Sequence, residues 1–126
     1  MKRSIIGFWL LGILLAGGFL SSWSMNRRHA PIGRRLDRAA EYALSEQWVQ
    51  AEAMASSARC EWQRNWNFSA AFADHGPMEE IDSLFAEMGV YGDTKESVHF
   101  ASTCQEISRK IQAMGDAHAL TWWNLL

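Results

Sequence analysis

A chain of 126 residues with a formal net charge of −2, two cysteines and seven tryptophans has room for one modest domain. The charge is split: residues 1–40 hold seven Lys/Arg against Asp37 alone, net +6, whereas residues 41–126 hold five against thirteen Asp/Glu, net −8. An acidic body argues against nucleic-acid binding, which needs Lys/Arg clustered on the folded domain. Cys60 and Cys104 lack CxxC spacing and a His/Cys cluster, which argues against a zinc site.

The first element is the uncharged run from Ile5 to Trp23, nineteen residues. At ~1.5 Å per residue it would make a helix of about 28 Å, close to the ~30 Å apolar core of a bilayer. Trp9 and Trp23 lie toward its ends, and Lys2, Arg3, Arg27 and Arg28 flank it. Residues 1–24 are therefore expected to be an uncleaved signal anchor that places the chain in the cell membrane as a single-pass protein. A cleaved signal peptide is the competing reading, resting on the short basic head and Ser22-Trp23-Ser24. Gly12/Ala16 and Gly17/Ser21 have the small-xxx-small spacing that lets another helix approach closely. A four-residue head before an apolar run favours an extracytoplasmic domain, although Arg34, Arg35 and Arg38 pull the other way.

Residues 25–31 read as a juxtamembrane joint, with Pro31 suited to the first position of the next helix. Residues 32–126 read as a helical bundle. Ile32, Leu36, Ala39/Ala40 and Ala43/Leu44 mark a first helix, and Ser45 could cap the second. Trp48, Ala51, Ala55, Ala58, Trp62 and Trp66 then form a stripe of small residues and indoles, the pattern of a packing face. Asp74-His75-Gly76-Pro77 punctuates the chain before a short helix carrying Met78, Ile81, Leu84/Phe85 and Met88. Gly89 and Gly92 predict a turn, and Asp93-Thr94-Lys95-Glu96 reads as a capping box. The last helix carries Val98, Ala101, Cys104, Ile107/Ser108, Ile111 and Met114, with Trp122, Trp123, Leu125 and Leu126 closing the chain. The expected fold is all-α: one N-terminal transmembrane helix followed by a small antiparallel bundle of about four helices.

No nucleophile elbow, phosphate loop or HExxH is present, and no cofactor is implied. One constellation could carry chemistry. Asp74, His75 and Glu79, with Glu80 and Asp82, could hold a metal or supply a general base, although helix starts and turns use the same residue types. Cys60 and Cys104 could pair as a disulfide if the domain is extracytoplasmic, or serve as small buried hydrophobes if it is not.

The order of features carries a resemblance. A basic head and one apolar helix precede Glu46-Gln47-Trp48-x-x-Ala51, then Trp62 or Trp66, Phe72-Ala73-Asp74-His75, Met78-Glu79-Glu80-Ile81 and Asn124-Leu125-Leu126. This plan is similar to a family of small uncharacterised single-anchor helical proteins of Gram-positive, often spore-forming, bacteria, a domain of unknown function. The resemblance implies a topology and a fold and no activity. It puts Trp48, Trp62, Trp66, Phe72 and His75 at helix-packing and turn positions.

Two functions follow as expectations. The first is a membrane-tethered structural or adaptor protein that docks a partner protein through Trp122, Trp123, Leu125 and Leu126 or through an exposed part of the tryptophan stripe, with self-association as a further source of stability. The alternative is a metal-dependent or acid/base enzyme centred on His75.

Overall fold

The computed structural model describes residues 2–69 and 75–124; side chains at 2–4, 21–22, 24–26, 28–29, 67–69, 75 and 117–124 are not described. Every described element is helical: α1 (Lys2–Leu44), α2 (Trp48–Ser69), α3 (His75–Asp93) and α4 (Ser97–Asn124).

The transmembrane anchor expected from the sequence is not borne out. Among the described residues no helix is long and apolar enough to cross a membrane. The glycines Gly7, Gly12, Gly17 and Gly18 dilute the apolar content of that run. The signal anchor and the single-pass, extracytoplasmic placement argued from it fall with that finding. Helix α1 also runs without a break through residues 25–31, so Pro31 lies inside a helix instead of opening one. With no N–H, Pro31 leaves the carbonyl of Arg27 without its usual partner four residues on.

Two αα-hairpins build the rest. In the first, the Gln47 N–H donates to the Tyr42 carbonyl (2.8 Å) and the Glu46 N–H to that of Ala43 (3.0 Å). In the second, Glu96 N–H donates to Tyr91 (3.0 Å) and Lys95 N–H to Gly92 (3.3 Å). Both are Schellman endings, with Glu46 (φ 60°) and Lys95 (φ 57°) in the left-handed position that glycine ordinarily takes. Gln47 and Glu96 then accept the first bonds of the following helices, from Ala51 and Phe100. Ser45 is thus a turn residue and not the cap of α2. The expected capping box at Asp93–Glu96 belongs largely to the end of α3, where the Thr94 hydroxyl donates to the Val90 carbonyl (3.0 Å). Glycines 89 and 92 stay helical. Gly92 is buried beside Phe100, and a Cβ there would touch its ring at an ordinary contact distance of 3.4 Å.

Since a left-handed residue other than glycine costs ~1–2 kcal/mol, Glu46→Gly should raise stability by about 0.5–1 kcal/mol after the entropy of glycine is charged against it. Lys95→Gly should gain less. It would lose an ion pair to Glu52 (2.6 Å) and the approach of Nζ to within 5.0 Å of the Trp48 ring. Urea unfolding of the two variants side by side checks the order.

The matching turns belong to a longer correspondence. Ile32, Leu36, Ala39, Tyr42, Ala51, Ala55, Ala58 and Trp62 stand forty-nine positions before Ile81, Phe85, Met88, Tyr91, Phe100, Cys104, Ile107 and Ile111. All of these are buried except the two tyrosines, which pack half-buried against the same core. The hairpins are therefore equivalent in register, yet they do not pack symmetrically. Helix α1 meets α4 most extensively, whereas the equivalent seam between α3 and α2 is sparse. Side-chain size is in keeping with the difference: Gly33 of α1 comes so close to α4 that a Cβ there would meet the Ser108 hydroxyl oxygen at 3.1 Å, and α1 buries Ala39, Ala40 and Ala43, whereas α3 buries Met78, Ile81 and Phe85.

The core follows the expected stripes, except that Leu44 is 55% exposed and one exchange occurs on α4. Phe100 is buried where Val98 was expected, and Val98 is exposed. Trp62 is 1% exposed and meets Trp66 edge-to-face at 6.2 Å, while Trp48 meets Phe100 likewise at 5.5 Å.

Candidate functional sites

The structure describes only part of the residues that the sequence brings forward. Trp122 and Trp123 fall in the last turn of α4 with their side chains outside the described set, and Leu125 and Leu126 lie outside the described residues. Asp74 also lies outside them. His75 opens α3, its side chain not described, and Glu79 is exposed one turn further on. The neighbouring Glu80 is engaged elsewhere: Lys110 Nζ lies 2.8 Å from its Oε1, and that contact raises the lysine pKa. Among the described residues no group of three or more His, Cys, Asp or Glu side chains could hold a metal ion.

Both cysteines are free thiols, Cys60 exposed and Cys104 buried. The Cys104 Sγ–H points to the Met88 sulfur at 3.3 Å. Burial, with a smaller contribution from Asp37, pushes its pKa from an ordinary 9.0 to about 12. A maleimide should therefore modify Cys60 in the native protein and spare Cys104 until denaturant is added. The same shift fixes a pH dependence. The folded state keeps this proton to higher pH than the unfolded chain does, so the stability is whole below about pH 9 and falls as pH rises toward 12. Alkaline melts should lose that slope in Cys104→Ala.

Sequence reasoning passed over one titratable cluster. At the α3–α4 turn the Tyr91 ring stacks on His99 (5.1 Å between centroids) and its hydroxyl donates to Glu87 (2.9 Å), which raises the tyrosine pKa. Glu96 lies 3.7 Å from His99 Nδ1. The imidazole is exposed, and the arrangement fastens the α3–α4 turn.

Two surfaces on α1 are more distinctive. The first is its N-terminal half, where large apolar side chains face outward all round, with Phe8 77%, Trp9 71% and Phe19 74% exposed. Phe8, Trp9, Gly12, Ile13 and Ala16 line a concavity of about 370 Å³ on it. The second is basic. Trp23, Arg27, Pro31, Arg34 and Arg38 recur every three or four residues and so share one face. The Arg27 guanidinium lies 3.9 Å over the Trp23 ring. Pro31, Arg34, Arg35 and Arg38 line a second concavity of about 290 Å³ with Met54 of α2. Arg35 is tied there to Glu61 of α2.

What these features define is a small all-helical domain made of two like hairpins, with its unusual surfaces on one long helix. The chain belongs to the family described as Domain of unknown function (DUF4363), whose match covers residues 19–125. No curated protein and no solved structure matches it. Most of the exposed apolar stretch, Ile5–Gly18, precedes the matched residues.

Proposed function

We propose that this protein is a helical docking module whose apolar N-terminal half of α1 is covered by a helix of a partner protein. The observation that carries the reading is the exposure of Ile5–Phe19 on every side of a helix. Monomeric domains rarely leave so large an apolar surface open, and a helix apolar all round is buried when it works. Gly12 and Ala16 support a helical partner, because nothing lies within 4 Å of a Cβ placed at Gly12 and a second backbone has room to come close.

Photo-crosslinking tests it. A photoreactive residue placed in turn at each position from 8 to 19 in the living cell should give protein adducts with helical periodicity, strongest on the face of Phe8, Gly12 and Ala16. Equal yields around the helix, or no protein adduct at any position, would sink the reading.

A further inference from the structure

The basic concavity on the other half of α1 carries an inference independent of that docking face. We propose that it binds a phosphate-bearing anion held by Arg34, Arg35 and Arg38. These three residues line one hollow of about 290 Å³. Only Arg35 has a carboxylate partner among the described residues, Glu61, and that contact still leaves most of its five donors for a ligand. Arg34 and Arg38 stand one turn apart, where like charges repel, with no ion pair among the described residues to relieve them. A phosphate between them removes that repulsion.

The acid nearest in sequence, Asp37, forms no ion pair with these arginines among the described residues, and its charge is felt at Cys104 on α4. Pro31 and Met54 give the hollow apolar walls, which strengthen charge-assisted hydrogen bonds by limiting water around them. Arginine is also the residue whose planar fork matches phosphate oxygens two at a time. Arg27, one and two turns before the hollow on the same face and steadied on Trp23, extends the positive field for a ligand with more than one phosphate.

The test is titration of the full chain with inorganic pyrophosphate, followed by ³¹P line broadening and calorimetry at low and at physiological ionic strength. Saturable one-to-one binding is expected, weakened at least roughly tenfold in Arg34→Gln/Arg38→Gln, since two of three charge-assisted contacts go. Lys95→Gln, a basic residue at the turn end of the molecule, should bind as the parent does. Both arginines are exposed, so the fold should survive, and protection of Cys104 from a thiol reagent verifies that in each variant. Absence of saturable binding by the parent, an equal loss in Lys95→Gln, or unchanged affinity in the double variant overturns the proposal.

Discussion

Replacing Trp62 by alanine lowers the stability of the domain by about 3–5 kcal/mol, a large part of the ~5–15 kcal/mol that holds a domain of this kind together. The indole is the largest fully buried side chain. Small shifts of close-packed neighbours cannot refill a volume as large as an indole. The loss then includes a cavity as well as the transfer of the ring to water. Trp66→Ala should cost much less, because that ring is only half-buried and keeps solvent on one side. Trp62→Phe should fall between them. Urea unfolding followed by circular dichroism ranks the three, and a Trp66→Ala variant as damaged as Trp62→Ala would place the centre of the core elsewhere.

Gly33→Leu should be nearly as severe, at about 2–3 kcal/mol, through crowding. A Cβ added at Gly33 already meets the Ser108 hydroxyl oxygen at 3.1 Å, so a branched side chain must force α1 and α4 apart along their most extensive seam. Alanine at the same place is a finer probe. It gains about 1 kcal/mol of helix propensity over glycine but spends most of it against Ser108. Combining Gly33→Ala with Ser108→Ala removes the obstructing oxygen, and the full gain should then emerge as a favourable coupling in a double-mutant cycle. Additive behaviour would show that the two residues do not touch in solution.

Much of the helical frame was legible in the sequence because burial follows spacing. Ala51, Ala55, Ala58 and Trp62 recur every three or four residues, and all four are in the core. Cys104, Ile107 and Ile111 repeat the lesson on α4. The ends of elements were less legible. Pro31 and the pair Gly89 and Gly92 punctuate the chain by residue type, yet tertiary packing carries the helix through all three. The true turns sit at Glu46 and Lys95, which give no sign in the sequence of a left-handed backbone. The anchor was inferred from the uncharged run Ile5–Trp23 by its length, whereas no described helix is long and apolar enough to cross a membrane. The equivalence of the two hairpins was available, though masked by changes of size such as Ala51 against Phe100 and Ala55 against Cys104. Of the sites, the arginines were read only as charges that orient a chain. Their convergence with Met54 depends on where α2 crosses α1, and spacing along one helix does not give that.

Equivalent hairpins also imply an order of assembly. Each turn brings together residues close in the chain, so either hairpin can close at small entropic cost and on a fast timescale. The α1/α4 seam joins Gly33 to Ser108, partners far apart in sequence, and can be sealed only after both hairpins exist. The rate-limiting event is then the docking of two preformed halves. Substitutions at the turns will speak through the refolding rate, and those at the seam will be divided between refolding and unfolding according to how much of it has closed at the barrier.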